Sequence, residues 1–342
     1  DMGAYEYQAE PLKITATNNV LYVNKAAIGN KTGDSWANAL PELADALVWA
    51  NNNKTNFTST PLQIWVAGGT YKPMYSPEDG ANFGTDQTRE NAFLMVNNVQ
   101  LYGGFAGTET TLVERDLTLT ANKTLLSGDY NDDDSVSGSG NSIDNNGENA
   151  NHVIISNGTV GAALLDGFTI TAGKAEYSGS GYTQISVNNV DVSYDSGAGM
   201  SINQSAPTVT NCTFSQNTAT SGGGMSINYN SSPIVTNCTF SQNTASSGGG
   251  MSINYNSSPI VRNTIFNKNY ASVRGGALNI FLSNTNIINS TINGNIAANG
   301  GNGIYTYSST STLSNSILFG DVFNQSSDAP VLKNSLGEGI LY

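Results

Sequence analysis

Charged residues are scarce in this 342-residue sequence, and most of those present are acidic. Only 11% of the residues are charged, with 13 Lys and Arg against 26 Asp and Glu, so the net charge is −13 at pH 7. This balance argues against a nucleic-acid partner, because neutralising phosphates requires clustered Lys and Arg, and no such cluster occurs. No run of 18 apolar residues is present either, so the sequence predicts no transmembrane segment.

Histidine and cysteine are nearly absent. His152 is the only histidine and lies at the start of a predicted strand, so no Ser-His-Asp set can be assembled and no catalytic residue is predicted. Cys212 and Cys238 occupy equivalent positions of a repeat, where their Cα atoms would fall within disulfide range, although parallel side chains are poorly directed for the bond. We expect them to face inward beside Phe214 and Phe240, since no second pair of ligands supports a metal site.

What the sequence does contain is a repeat of 26 residues between positions 197 and 319. The segment at 211–219 returns unchanged at 237–245, and in altered form at 263–269. A second series follows the glycine-rich runs at steps of 25, 26, 27 and 26 residues: Met200, Met225, Met251, Leu278 and Ile304. Fixed periods of this length indicate stacked repeats. The leading asparagines are predicted to form an amide ladder along the stack: Asn211, Asn237, Asn263, Asn289 and Asn315.

Each repeat contains three short segments in which apolar and small polar residues alternate. Met225-Ser226-Ile227, Pro233-Ile234-Val235-Thr236 and Cys238-Thr239-Phe240 have this strand pattern, and Gly or Asn separates them. No helical period occurs within the repeat. Three strands and three turns per 26 residues predict an all-β fold, a three-sided parallel β-helix whose coils stack at roughly 4.8 Å.

Two motifs within the repeat resemble those of chlamydial polymorphic outer-membrane proteins, which are β-helical surface adhesins. Phe214-Ser215-Gln216-Asn217 and its counterparts at 240–243 and 266–269 match the FxxN repeat of that family. Gly275-Gly276-Ala277-Leu278 matches its GGA[ILV] repeat, with Gly-Gly-Gly-Met variants at 222–225 and 248–251. The resemblance covers about 120 residues and implies a right-handed solenoid, the hand that parallel crossovers also favour.

A cap is predicted ahead of the coils. Leu21-Tyr22-Val23 reads as a strand, and an amphipathic helix is predicted from Trp36 to about Asn51 with Ser35 as its N-cap. We expect this helix to cover the open end of the solenoid and protect its unpaired edges. The predicted organisation is a linker or tail of a preceding module at 1–20, a strand and capping helix at 21–60, irregular coils with long loops at 61–196, and regular coils at 197–342.

The beginning of the chain resembles large surface adhesins of the Bacteroidota type. Asp1-Met2-Gly3-Ala4-Tyr5-Glu6 is similar to the D-[IM]-G-A-Y-E segment that often closes β-helix modules in such proteins, and Ile64-Trp65-Val66-Ala67-Gly68-Gly69-Thr70-Tyr71 looks like the entry to the next module. This resemblance implies neighbouring modules of the same polypeptide and an extracellular location, either secreted or on a bacterial cell surface.

An acidic run follows Gly128 and suggests a calcium site. Asp129, Asn131 and Asp133 alternate as in the first half of a calcium-binding loop, and Asp134 adds a fourth oxygen ligand. The match is incomplete, because Asp134 stands where such a loop has glycine and Gly140 stands where it has the bidentate glutamate. Asp144 or Glu148 can complete the coordination from farther along the chain. The alternative is a solvated acidic loop without an ion.

Aromatic residues recur at intervals of 26 near one turn of the repeat: Tyr229, Tyr255, Phe281 and Tyr307. If these side chains point outward, they form a strip along the solenoid on which sugar rings can stack. The alternative is that in-register aromatics stabilise neighbouring coils, as cross-strand pairs do.

Together these features predict a non-catalytic module of a secreted or surface adhesin, a rigid solenoid that presents turns and loops to glycan or protein partners. The alternative is a polysaccharide lyase, since pectate-lyase-like proteins share the fold and typically combine calcium-bound uronate with a basic side chain. Arg262 and Arg274 are the only arginines in the regular stack, and no carboxylate ladder accompanies them. A net charge of −13 also disfavours an anionic polymer.

Overall fold

The computed structural model describes residues 13–137, 142–177, 184–325, 331–333 and 335–341. The terminal segment Asp1–Glu6, whose resemblance is noted above, lies outside the described residues, as does Gly140. Within the described parts the chain winds into a parallel β-helix with three parallel sheets and one short α-helix, which confirms the predicted fold class. No helix among these residues combines the length and apolarity needed to cross a membrane.

The first sheet has ten parallel strands, one from each successive coil. Its strands, in order, are Val20–Val23, Leu62–Ala67, Val99–Phe105, Leu164–Asp166, Thr208–Thr210, Ile234–Thr236, Ile260–Arg262, Thr285–Ile288, Ser311–Ser314 and Val331–Lys333.

The second sheet has sixteen strands in two runs, which are joined where the long strand Ile317–Asn324 pairs with both. One run contains Gly69–Tyr71, Thr124–Ser127, Phe168–Thr171, Thr213–Ser215, Thr239–Ser241, Ile265–Asn267 and Thr291–Asn293. The other contains Phe93–Leu94, Ile154–Asn157, Met200–Asn203, Met225–Asn228, Met251–Asn254, Leu278–Phe281 and Ile304–Tyr307. Leu336–Leu341 also pairs with Ile317–Asn324.

The third sheet has five short parallel strands, and two antiparallel hairpins project from the coils. The third sheet comprises Lys174–Ala175, Thr218–Ser221, Thr244–Ser247, Tyr270–Arg274 and Ile296–Ala297. The hairpins pair Ser135–Ser137 with Ser142–Asp144 and Gln184–Val187 with Val190–Ser193. Five 3₁₀ turns lie in the loops, at Lys54–Phe57, Gly80–Asn82, Thr88–Glu90, Leu112–Glu114 and Thr120–Asn122.

The core consists of columns of equivalent apolar residues. Backbone register places Met200, Met225, Met251, Leu278 and Ile304 one above the other, as the sequence series predicts. Phe214, Phe240 and Phe266 form a second column in which neighbouring ring centroids lie 4.8 and 4.9 Å apart. Each ring is fully buried, and burying a side chain of this size contributes about 2–3 kcal/mol. The stack is therefore stabilised coil by coil.

The asparagines of the FxxN motifs form a buried ladder, which was not predicted from the sequence. Asn243 Nδ2 donates to Asn269 Oδ1 at 2.9 Å, while its own Oδ1 accepts from the backbone N–H and Nδ2 of Asn217. The predicted asparagine ladder lies at exposed corners with φ near +50°, and it is present over part of its length: Asn211, Asn237, Asn263, Asn289 and Asn315. Side-chain bonds of 3.3 and 3.1 Å connect the first three of them.

The single α-helix, Leu43–Asn52, begins later than the sequence pattern predicts. Glu42, not Ser35, is its N-cap residue. A proline disfavours helical geometry in the residue before it, and Leu40 before Pro41 is extended and forms a bridge with Val23. The helix can therefore begin only after Pro41. The helix packs its buried face against the strands Val20–Val23, Leu62–Ala67 and Phe93–Leu94. It therefore covers the N-terminal end of the stack.

Cys212 and Cys238 are free thiols in the core. Both are 1% exposed, and each thiol donates toward a backbone carbonyl oxygen. Burial, with the neighbouring Cys238, raises the pKa of Cys212 well above its usual range. These thiols serve as small packing residues, which agrees with an inward-facing position.

The buried ladder generates a prediction about stability. Asn243→Ala removes the acceptor of two Asn217 donors and leaves a buried N–H without a partner, so unfolding free energy should fall by about 3 kcal/mol. Guanidinium titration followed by circular dichroism measures this loss. The control Asn237→Gly, at an exposed corner where glycine tolerates the positive φ, should cost less than about 1 kcal/mol. Equal losses in both variants would contradict a special role for the buried ladder.

Candidate functional site

Two polar regions of the surface are candidates for function, an acidic cluster and a groove. The acidic cluster consists of Asp129, Asp133, Asp134 and Glu148, each with a carboxylate oxygen within 4.8 Å of the others. Asp129 is buried and fixes the loop, because its carboxylate accepts the backbone N–H groups of Asn131, Asp132 and Asp134.

The inner part of the acidic cluster contains acceptors that lack donors. Asp134 Oδ1, Glu148 Oε1 and Asn149 Oδ1 are buried and have no hydrogen-bond partner. Asn149 is 1% exposed and donates Nδ2 to Asp134 Oδ2 at 2.8 Å, so it stands directly behind the cluster. Unpartnered buried acceptors are costly, and a hard cation would satisfy them. The acidic cluster can therefore hold a metal ion.

The structure places most of the residues predicted for the metal site together. Asp129, Asp133 and Asp134 belong to the acidic cluster, and Glu148 joins them, whereas Asp144 lies in the neighbouring hairpin. Asn131 is exposed and contributes a backbone N–H to Asp129. Burial, together with the nearby carboxylates, raises the pKa of Asp134 to about 6.

A cavity of about 720 Å³ lies beside the acidic cluster, and Glu148 lines both. Its cations are already engaged. Lys72 Nζ lies 2.7 Å from Asp132, and Lys25 Nζ lies 3.1 Å from Glu42. Arg89 donates to two backbone carbonyl oxygens. An anionic ligand in this cavity would therefore compete with protein partners for these cations.

The groove, called the outer groove below, has a volume of about 400 Å³ and runs along the solenoid over four coils. One side is a column of residues in register, Ser196, Ser221, Ser247 and Arg274. Its base contains the outward side chains Asn203, Asn228, Asn254 and Asn279, and the opposite side contains Tyr229 and Tyr255. The hairpin Gln184–Ser193 and Asp195 close one end. The outer groove is lined mainly by amides and hydroxyls.

Hydrogen bonds between coils fix the base of the outer groove. Asn228 Nδ2 donates to Asn203 Oδ1 at 3.1 Å, and Asn254 Nδ2 donates to Asn228 Oδ1 at 2.9 Å. These asparagines alternate with the core residues of their strands, so they point away from the core, yet each is at most 8% exposed. They end the repeated segment Met-Ser-Ile-Asn at 200–203, 225–228 and 251–254, and this repetition is the signal in the sequence that marks them.

The four predicted aromatic residues touch one another but do not form one column. Tyr229 and Tyr255 stack with centroids 5.1 Å apart and planes inclined by 6°. Phe281 pairs in register with Asn254, and its ring meets Tyr255 edge-on at 5.9 Å. Phe281 then stacks on Tyr307 at 5.0 Å. The expected continuous strip is therefore interrupted at Phe281.

The interruption comes from one additional residue. The strand Tyr270–Arg274 contains a β-bulge relative to Thr244–Ser247, and this accounts for the 27-residue step between Met251 and Leu278. A spacing of 26 residues from Tyr255 thus reaches Phe281, whereas the structurally equivalent residue is Leu282.

His152 is buried, and the two arginines of the regular stack lie apart from it with protein partners of their own. Burial lowers the pKa of His152 to about 4, and its Nδ1 lies 3.0 Å from Gly197 O. Arg262 Nε donates to Thr236 Oγ1 on an exposed face. Arg274 lies over the rings of Tyr305 and Phe281, and no carboxylate of the described residues forms a salt bridge with it.

Comparison with known proteins identifies the fold. A family model described as a right-handed beta helix region matches residues 130–318. Among solved structures, pectin methylesterase PemA from Erwinia chrysanthemi is similar with a TM-score of 0.46 and 10% identity, over 96% of this chain and 91% of that one.

Two further solved structures show a weaker likeness. Alginate lyase from Paenibacillus sp. str. FPU-7 has a TM-score of 0.40 and 11% identity, over 87% of this chain and 95% of that one. The Escherichia coli protein YbhC has a TM-score of 0.40 and 12% identity, over 97% and 88%. No curated protein sequence matches significantly. At such low identity these likenesses concern the fold and say nothing of activity.

The raised pKa of Asp134 generates a prediction about cation binding. Above pH 6 the Asp134 carboxylate is ionised and available to a cation, and below pH 6 a proton competes for it. Calcium affinity should therefore be at least about tenfold weaker at pH 5.0 than at pH 7.5, measured by isothermal titration calorimetry. In the ion-free protein, the folded state binds the Asp134 proton more tightly than the unfolded state does. The contribution of Asp134 to the free energy of unfolding is therefore lost as pH rises from about 4 through about 6.

Two substitutions within the same loop provide the control. Asp134→Asn should abolish most of the pH dependence and weaken binding at pH 7.5. Asp144→Asn removes an exposed carboxylate outside the acidic cluster and should leave affinity unchanged. Equal losses of calcium affinity in the two variants would show that the ion does not bind in the acidic cluster.

Proposed function

The chain belongs to the right-handed β-helix family, and from this premise we propose that it is a non-catalytic carbohydrate-binding module of a larger secreted or surface adhesin. The outer groove is the proposed binding site. Its location on stacked coils makes it rigid before a ligand arrives, so little conformational entropy is lost on binding.

One observation supports this proposal above the others, namely the chemistry of the groove lining. Amides, hydroxyls and tyrosine edges line a continuous depression without a dominant charge of either sign. Sugars present hydroxyl groups that both donate and accept, and such a lining can satisfy them. A protein partner would be expected to require a more apolar centre, as binding interfaces usually have.

Tyr229 and Tyr255 support sugar binding through their edges more than through their faces. Their facing surfaces are stacked on each other, and the Tyr255 ring also makes a T-shaped contact with Phe281. Both side chains remain nearly half exposed, at 48% and 44%. Their hydroxyl groups are therefore the proposed contacts, while the stacking between rings stabilises the adjacent coils.

Calcium is the cation that we propose for the acidic cluster. The available donors are carboxylate oxygens on a loop, and calcium accepts several such oxygens in flexible geometry. Asp129, Asp133, Asp134 and Glu148 would hold it. The ion would supply charge compensation and hold Glu148 against Asp129, Asp133 and Asp134, with no part in a reaction.

A non-catalytic role is supported by the arrangement of Arg274. A lyase acting on an acidic polysaccharide would benefit from a basic residue beside ion-binding carboxylates. Arg274 lies against aromatic rings in the outer groove, whereas the acidic cluster is built by the loop after Thr124–Ser127. Arg274 and the acidic cluster are therefore separate, and the cations that do lie beside the cluster, Lys72 and Arg89, already bond to protein groups. A lyase remains the alternative, and it predicts unsaturated products from pectate or alginate.

The proposal predicts that two hydroxyl groups matter for glycan binding. The double variant Tyr229→Phe/Tyr255→Phe retains the stacked rings but loses both hydroxyls, so its affinity for a glycan found on an array should fall by about tenfold. Tyr177→Phe is the matched control, since Tyr177 is exposed outside the outer groove. Unchanged binding in the double variant, with loss in Tyr229→Ala, would indicate face stacking instead.

Turnover is tested separately with the unmodified chain. Incubation with polygalacturonate and alginate, in calcium and at several pH values, should produce no absorbance from unsaturated products. Product formation that persists on purification and disappears in Arg274→Ala would replace the binding proposal with the lyase alternative.

A further inference from the structure

The outer groove changes character at its fourth coil. In the three preceding coils one groove column contains Ser196, Ser221 and Ser247, and the fourth coil places Arg274 there. A second column contains Ser201, Ser226 and Ser252, and the fourth coil places Asn279 there. Both changes follow the β-bulge in Tyr270–Arg274, a feature that commonly redirects side chains.

The asparagine ladder of the base also ends at this coil. Asn254 is followed in register by Phe281, which has no amide to donate to Asn254 Oδ1. Asn279 Nδ2 donates to Ser252 Oγ at 3.0 Å, and this leaves Asn279 Oδ1 without a partner. Asn279 is 98% buried and lines the groove, so its unpartnered Oδ1 is held in a fixed position at this end of the groove.

Arg274 supplies an unused donor in the lining of the same groove. Its guanidinium lies 4.8 Å from the Tyr305 ring centroid and 5.9 Å from that of Phe281, and its Nε has no hydrogen-bond partner. A long 3.4 Å bond connects Nη1 to Tyr305 Oη. Both unpartnered atoms lie just beneath the groove surface. A rotation of the flexible Arg274 side chain would bring them into contact with a ligand.

A free N–H donor and a free amide acceptor that line the same end of the groove fit a ligand group that accepts at one atom and donates at its neighbour. An acetamido group has this property, because the C=O and N–H of a trans amide point in opposite directions, so the carbonyl oxygen can accept from Arg274 while the N–H donates to Asn279 Oδ1 on the other side. The Phe281 ring beside them offers an apolar surface for the methyl group. A carboxylate would satisfy Arg274 but leave Asn279 without a donor.

Charge also favours a neutral ligand over an acidic one. Arg274 is the only basic residue that lines the outer groove among the described residues, and Asp191 and Asp195 line its opposite end. The chain as a whole has a net charge of −13. A polyanionic glycan would therefore be repelled at the Asp191 and Asp195 end of the groove, whereas a neutral acetylated glycan would not.

We infer that the fourth-coil end of the outer groove is a subsite for the acetamido group of a neutral N-acetylated oligosaccharide. Arg274 binds its carbonyl oxygen, Asn279 binds its N–H, and the sugar chain extends toward Tyr255 and Tyr229. This inference rests on the proposed glycan-binding function and specifies the ligand class for the same groove.

The repeat itself provides variants that test the subsite with little risk to folding. Arg274→Ser and Asn279→Ser restore the serines that occupy these columns in the preceding coils. Binding of tri-N-acetylchitotriose, cellotriose and trigalacturonate is measured by calorimetry on the full chain. The acetylated trisaccharide should bind at least tenfold more tightly than cellotriose, and each variant should abolish that preference. Arg262→Ser, outside the groove, should leave it unchanged.

The possible results separate this inference from the function on which it rests. Equal binding of the acetylated trisaccharide and cellotriose would overturn the acetamido subsite while leaving a glycan-binding groove in place. Tighter binding of trigalacturonate, lost in Arg274→Ser, would overturn it in favour of a carboxylate subsite. Binding of none of the three, with a glycan array also blank, would overturn both proposals. Melting temperatures of the variants, measured in parallel, show whether each remains folded.

Discussion

Each coil is held to the next by backbone hydrogen bonds between parallel strands, and those bonds require equivalent residues to lie one above the other. At a strand spacing of about 4.8 Å, any side chain that recurs with the repeat is in contact with its own counterparts. Phenylalanines then stack, asparagines bond amide to amide, and identical charges would repel. This constraint explains the low charge of the regular coils. It also explains why aromatic and amide columns recur there.

The same constraint determines how much of the fold can be predicted from sequence. Alternating strands with a fixed period specify the parallel β-helix, and the Met200 series gives the register of one column correctly. The start of the helix was wrong because Pro41 favours an extended Leu40, a local effect that the amphipathic pattern conceals. Strand periodicity is thus a stronger signal here than the helical pattern, since every coil repeats it.

The candidate sites were predictable only in part, for different physical reasons. The acidic run marks Asp129, Asp133 and Asp134, but the sequence leaves Asp144 and Glu148 as equal candidates for the remaining ligand, and only the structure selects Glu148. In the aromatic series the spacing of 26 residues is real. It nevertheless identifies the wrong partner for Tyr255, because the β-bulge before Arg274 shifts the register by one residue. An unequal step in a repeat therefore indicates where register must be checked.

That unequal step has a consequence for recognition. A strictly repeated solenoid presents the same side chains at every coil, so a ligand could bind in several equivalent positions along it. The bulged coil removes this degeneracy, because it replaces serine by Arg274 and Asn279 at one place and ends the amide ladder at Asn254. A glycan bound along the uniform part of the outer groove would then be fixed in position by the irregular end. In this fold, an irregular coil can therefore give a repetitive surface one defined binding position.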